Sequence, residues 1–187
     1  LGKLVPKIPQ SWLYSYMKQV TVRAFRGMNS EEIYGEITHK GINTLFEEFK
    51  KYTLYKQKGE FVDIGCGYGK IVTAYYSEFK QKAYGLDIVK EKIKIAKKIH
   101  KHKPNQWEFI HGDFRNNHHI LDKATYFVAT CCMWKEDTMK DLMKYFANRQ
   151  KPYVLFHNYY HMRTSEYINL QVCWSKNENI FYKVCNF

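Results

Sequence analysis

The chain has 187 residues, 45% hydrophobic and 26% charged, with a formal net charge of +12. That length suits one domain with a real core, and no apolar run approaches the roughly 18 residues that a membrane-spanning helix needs. Five cysteines with no C-x-x-C pair favour reduced thiols in an intracellular protein over a disulfide framework, and the charge points to a polyanionic partner while leaving the fold open.

Residues 1–30 read as an N-terminal helical extension: Ser11 caps a helix running towards Arg26, and Gly27 and Asn29 break it. Ile42, Leu45, Phe46 and Phe49 then recur at helical spacing. Residues 61–70, F-V-D-I-G-C-G-Y-G-K, follow. An apolar strand ends in the carboxylate of Asp63, and Gly65, Gly67 and Gly69 alternate before a helix that begins at Lys70. Glycines at that spacing suit a sharp strand-to-helix turn whose bare backbone a ligand can approach. Asp87 ends the next apolar run, 24 residues after Asp63. An acid there is placed either to accept hydrogen bonds from ribose hydroxyls or to cap the following helix. Trp107 to Phe114 reads as a third strand ending in Gly112-Asp113-Phe114.

Strands are expected at 60–64, 83–87, 107–111, 125–130 and 152–157, with helices at about 69–80, 89–102 and 136–148. The tail pairs 168–172 with 180–184 as a closing hairpin. Alternating strands and helices predict an α/β, Rossmann-like fold: a mostly parallel central sheet, helices on both faces and a C-terminal antiparallel hairpin, in one domain over 1–187. Ligands on such sheets sit at the carboxyl ends of the strands, where the three aspartates fall. Seven lysines lie between Lys90 and Lys103, and Lys90, Lys94, Lys97, Lys98 and Lys101 share a helical face opposite Ile88, Ile95 and Ile99. That face is either a solvated surface or a contact for phosphates. His100, His102, His118 and His119 read as solvated, and no metal site is expected.

The pattern D-x-G-x-G-x-G at Asp63–Gly69 resembles the first motif of class I S-adenosylmethionine-dependent methyltransferases. The resemblance implies that S-adenosylmethionine is the cofactor, held by Asp63, Gly65, Cys66, Gly67, Gly69, Lys70, Asp87, Asp113 and Phe114. Asp113 or its backbone would read the adenine amine and Phe114 would stack on the ring. Tyr34-Gly35-Glu36, Gly112-Asp113-Phe114 and the stretch Ala124–Tyr160 resemble more closely the non-SET histone lysine methyltransferases known as disruptor of telomeric silencing. By that likeness Tyr34, Gly35 and Glu36 would cover the methionine end of the cofactor beside a lysine channel. Where the family has two asparagines and two phenylalanines, this chain has Ala129-Thr130-Cys131-Cys132-Met133-Trp134. Thr130 would offer a hydroxyl there, and Tyr34 and Trp134 are the expected catalytic channel walls.

The implied function is methylation of a protein lysine, with a histone in the nucleosome as substrate and non-specific DNA contact through the basic helix. A nuclear location would follow from it. The alternatives are an RNA, non-histone protein or small-molecule acceptor, with a cytoplasmic location, or an inert module that keeps the cofactor fold. The N/D-P-P-Y/F signature common in RNA amine enzymes does not appear at Ala129–Cys132.

Overall fold

The computed structural model describes residues 36–53, 59–101, 103–131, 134–173 and 177–186. The expected N-terminal helix, Tyr34, Gly35, His102, Cys132 and Met133 lie outside the described residues. Helix α1 (His39–Thr53) comes first, and its stripe of Ile42, Leu45, Phe46 and Phe49 is buried as the spacing predicts. Strand β1 (Glu60–Ile64), helix α2 (Lys70–Phe79), strand β2 (Ala83–Asp87), helix α3 (Lys90–His100) and strand β3 (Trp107–His111) follow. A 3₁₀ turn (Phe114–Asn116) and helix α4 (His118–Leu121) lead to strand β4 (Ala124–Ala129), helix α5 (Glu136–Ala147) and strand β5 (Tyr153–His157). Strands β6 (Tyr167–Leu170) and β7 (Asn179–Asn186) close the order.

Among the described residues the strands form one seven-stranded sheet in the order β3-β2-β1-β4-β5-β7-β6. Strands β1 to β5 run parallel, whereas β7 is antiparallel to both β5 and β6. The sequence predicts the hairpin but not its placement, with its second strand against β5 and its first strand outside. The strand order reverses between β1 and β4, which opens a crevice at their carboxyl ends. Strand β4 ends one residue earlier than predicted, so Thr130 lies just past the sheet, in the crevice wall.

Strands β2 and β5 bury every residue, as the core of a parallel sheet must. Phe61, Tyr126, Val128, Val154 and Phe156 pack against α1, α2 and α3, while Val62, Ile64, Phe127, Ala129 and Leu155 pack against α4 and α5. Tyr75 stacks on Phe61 with ring centroids 4.6 Å apart and donates its hydroxyl to the Gly59 carbonyl at 2.7 Å. No helix among the described residues is long and apolar enough to cross a membrane.

Helix α3 corrects one expectation. It buries Lys92, Ile93, Ala96 and His100, while Ile95 and Ile99 are half-buried and Ile88 is 42% exposed. The true inner face is rotated from the predicted one by about one residue, or ~100°. His100 is therefore a core residue and not a solvated one. Lys90, Lys94, Lys97, Lys98 and Lys101 do share the exposed side.

Phe49 contacts the rings of Phe61, Tyr75, Tyr126 and Phe156 and is fully buried. Phe49→Ala is expected to cost roughly 3–5 kcal/mol of stability, the usual cost of emptying an aromatic core site. Urea unfolding checks this; a midpoint close to wild type would mean that α1 is not integral to the core.

Candidate active site

The turn between β1 and α2 has three glycines in the left-handed region: Gly65 at φ 82°, Gly67 at φ 53° and Gly69 at φ 82°. Side-chain-bearing residues rarely adopt that conformation. Space is limiting as well, since a Cβ on Gly69 would lie 2.2 Å from the ring of Phe109. The turn is held from outside. The amides of Gly65 and Cys66 donate to the Leu86 carbonyl at 2.8 and 2.9 Å. The Gly67 amide donates to Asp87 Oδ2 at 2.9 Å, and the Val89 amide donates to Asp87 Oδ1 at 2.8 Å.

His100 supports the turn from α3. Its Nε2 lies 2.9 Å from the Tyr68 carbonyl, which can only accept, so Nε2 carries the proton. Nδ1 faces the Thr73 hydroxyl at 3.5 Å, and burial keeps the ring's pKa below its ordinary value. Cys66 is expected among the cofactor contacts. Its thiol packs beneath the turn, so close to Gly85 that a Cβ there would lie 2.7 Å from the sulfur, and the residue also lines the smaller hollow beside Glu36 and Lys70. Burial, then Asp63 and Asp87, push that thiol's pKa up, so it remains protonated.

A cleft open to solvent runs over this turn. Gly65, Asp87, Asp113, Phe114, Thr130 and Trp134 line it, together with Ile88 and the buried Lys92. Trp134, an expected channel wall, lines this cleft. It lies parallel to Phe114 with centroids 6.0 Å apart and interplanar angle 5°, and its ring reaches within 3.3 Å of where a Cβ on Gly65 would be. It therefore walls the cleft. The Asp113 carboxylate is engaged by Arg115, which leaves the Asp113 backbone, the other expected reader of adenine, at the cleft. Arg115 donates to the carboxylate from Nε at 3.0 Å and from Nη2 at 2.6 Å. Burial alone would raise the Asp113 carboxyl, but the hydrogen bonds and charge of Arg115 bring it below its ordinary value.

A smaller hollow, lined by Glu36, Asp63, Lys70 and Cys66, shares Gly65 and Thr130 with the cleft. The Lys70 ammonium lies 3.1 Å from Glu36, and both side chains are only 12% exposed. The Glu36 segment is fastened to the chain after β6: the Cys173 amide donates to the Glu36 carbonyl at 2.9 Å, and the Thr38 amide donates to the Gln171 carbonyl at 2.9 Å. Glu36 Oε1 is buried and meets no hydrogen-bond donor among the described residues. Asp63 is 2% exposed, and burial, then the charge of Asp87, raise its carboxyl well above the ordinary range.

The cleft and hollow together fit the two ends of S-adenosylmethionine. Each Asp87 oxygen keeps a lone pair for a ribose hydroxyl, so the carboxylate can brace the turn and bind the sugar. Phe114 and Trp134 offer ring faces for adenine. Glu36 Oε1 is an unmet acceptor suited to the amino group, and Lys70 is a cation suited to the carboxylate.

Residues 61–152 match the family described as methyltransferase domain. The glycine turn that resembles class I S-adenosylmethionine-dependent methyltransferases, Asp63–Gly69, lies within this region. Among solved structures, the chain is similar to a methyltransferase from Thiobacillus denitrificans in complex with S-adenosylhomocysteine, at 18% identity and TM-score 0.52 over 72% of this chain and 54% of that one. It is also similar to the methyltransferase domain of bacterial CtHen1-CN, at 12% identity and TM-score 0.55 over 73% of this chain and 75% of that one. A third is the plantazolicin methyltransferase BpumL in complex with a triazolic desmethylPZN analog and S-adenosylhomocysteine, at 18% identity and TM-score 0.53 over 79% of this chain and 55% of that one. The chain spans about half the length of the Thiobacillus and plantazolicin proteins. No curated protein matches the sequence.

Two outcomes are expected of the methyltransferase domain. Asp87→Ala should weaken S-adenosylmethionine binding by about 1–3 kcal/mol in calorimetry, since it removes hydrogen bonds to a charged acceptor; unchanged affinity would leave Asp87 a brace alone. The second concerns pH. His100 has a lowered pKa when folded, so the unfolded state binds more protons, and the stability present above about pH 6.5 is lost as pH falls below it. Thermal melts at pH 7.5 and 5.5 should show that loss, and His100→Gln should reduce it.

Proposed function

We propose that the chain is an S-adenosylmethionine-dependent methyltransferase acting on a lysine amine of a protein, with a histone in the nucleosome as the favoured acceptor. The observation that carries the catalytic reading is the cleft joined to the Glu36–Lys70 hollow through Gly65 and Thr130. Support for lysine comes from the resemblance at Tyr34-Gly35-Glu36 and along Ala124–Tyr160. Support for a polyanionic platform comes from the exposed lysines of α3 and the +12 charge. A nuclear location belongs to the same reading.

S-adenosylmethionine supplies a methyl group that is already activated, so little acid–base machinery is required of the protein. Its residues must hold both partners in line and strip water from the reacting amine. Asp87 and the glycine turn would fix the nucleoside, and Glu36 and Lys70 would fix the amino acid end. A lysine amine, with a reference pKa of about 10.4, must shed its proton first, and desolvation by apolar walls favours the neutral form. Thr130 sits at the junction of the two cavities, where its hydroxyl can orient that amine. Tyr34, the remaining expected wall, lies outside the described residues.

Radiolabelled cofactor incubated in parallel with nucleosomes, free histones and RNA tests the acceptor; strongest labelling of RNA would overturn the lysine reading. Nucleosomal DNA binding should fall steeply with salt as lysines release counterions. Reversing the charge of Lys94, Lys97 and Lys98 together should weaken that binding while cofactor affinity stays constant. Salt-independent binding would reduce the α3 face to a solvated surface.

A further inference from the structure

We propose that the end of β5 is a subsite for a carbonyl or carboxylate oxygen of the methyl acceptor, built from the side chains of His157 and Asn158. This rests on the methyltransferase reading and adds the acceptor-binding groups that it lacks.

Both residues are deeply buried, His157 fully and Asn158 at 5% exposure. The Tyr159 amide donates to His157 Nδ1 at 3.3 Å, so Nδ1 holds a lone pair. Burial lowers the ring's pKa to about 4, which leaves it neutral at pH 7 with its proton on Nε2. Asn158 Oδ1 accepts from the Cys131 amide at 2.6 Å, which fixes the amide with its oxygen towards Cys131. Among the described residues, neither His157 Nε2 nor Asn158 Nδ2 meets an acceptor. Two consecutive residues thus carry buried donors that find no partner among the described residues, whereas nearly all such groups in folded proteins are paired.

Their place in the sheet makes these donors relevant to the reaction. His157 pairs with Ala129, level with the exit of β4. The adjoining turn closes with the Trp134 amide donating to the Cys131 carbonyl at 3.0 Å, and Thr130 and Trp134 on either side line the cleft. Gly65 and Asp87, where the nucleoside would sit, stand at the ends of β1 and β2. An acceptor must approach from the opposite side of the crevice, over β4 and β5.

The chemistry of the pair narrows what it binds. Two neutral donors recognise an oxygen lone pair and give nothing to an ammonium. On a protein substrate they would grip a backbone carbonyl beside the modified residue and leave the amine's lone pair free for the methyl carbon. A carboxylate on the acceptor would satisfy the same donors.

The test uses protein saturated with S-adenosylhomocysteine and labelled with ¹⁵N in its histidine rings and asparagine side chains. N-methylacetamide serves as the carbonyl probe and acetate as the carboxylate probe. A saturable shift of the His157 Nε2–H and Asn158 Nδ2 signals with one probe is expected, and the probe that succeeds identifies the oxygen. Asn158→Asp keeps an oxygen for the Cys131 amide but removes the amide protons. It should weaken that probe at least fivefold while S-adenosylhomocysteine affinity stays within twofold. Silence towards both probes in the loaded wild-type protein would overturn the subsite, as would contact of these protons with a long-lived buried water alone. Failure of S-adenosylhomocysteine itself to bind would instead defeat the methyltransferase reading, and the subsite with it.

Discussion

A single carboxylate holds the site together. Asp87 is 6% exposed, and its two oxygens accept the amides of Gly67 and Val89. Glycines let the chain turn sharply, but they supply no side chain to fix the shape, and a flexible turn would lose much entropy on binding a ligand. The rigidity therefore comes from neighbours. Leu86 and Asp87 on β2, and His100 on α3, take up polar groups of residues 65–68. Hydrogen bonds to an ionised acceptor are about twice as strong as neutral ones, so Asp87 is the firmest of these ties. It joins the end of β1, the end of β2 and the start of α3 at one point.

Much of this was legible because it is local. Gly65, Gly67 and Gly69 declare a turn by their spacing, and Asp63, Asp87 and Asp113 each follow an apolar run of strand length. The roles of those acids were less legible, because a role depends on which partner arrives first. Asp87 proves to brace the turn, a function between the two the sequence allowed, and Asp113 is taken by Arg115 two residues on. Helix α3 misled because isoleucines suggested its inner face. Lys92 and His100 are buried there instead, and a hydrogen bond to the Tyr68 carbonyl satisfies the His100 ring that periodicity counts as solvent-facing. The insertion of β7 between β5 and β6 is a long-range pairing, and nothing in the pattern of either strand encodes its neighbour.

Trp134 shows how the two levels interact. Read along the chain, it follows β4 in a stretch unlike the family it resembles, and a channel wall was the natural expectation. Folded, the turn from Cys131 brings it back over Gly65 and parallel to Phe114. A residue in the stretch where the sequence departs from the resemblance thus falls on the cleft wall. Glu36 makes the converse point: it was placed by resemblance, and its ion pair with Lys70 and its fastening to Cys173 were visible only in three dimensions.

Charge around the crevice is nearly balanced, and that balance constrains the ligand. Glu36, Asp63, Asp87 and Asp113 face Lys70, Lys92 and Arg115 across the two cavities. Asp63 is the exception, its carboxyl raised by burial and by Asp87, so it resists ionisation where it stands. A neutral ligand would leave that situation unchanged. A cationic sulfonium with an ammonium group, entering beside Glu36 and Asp63, would bring positive charge to where the carboxylates crowd and so favour their ionised forms. Positive charge on the methyl donor would therefore complement the acids at this end of the crevice.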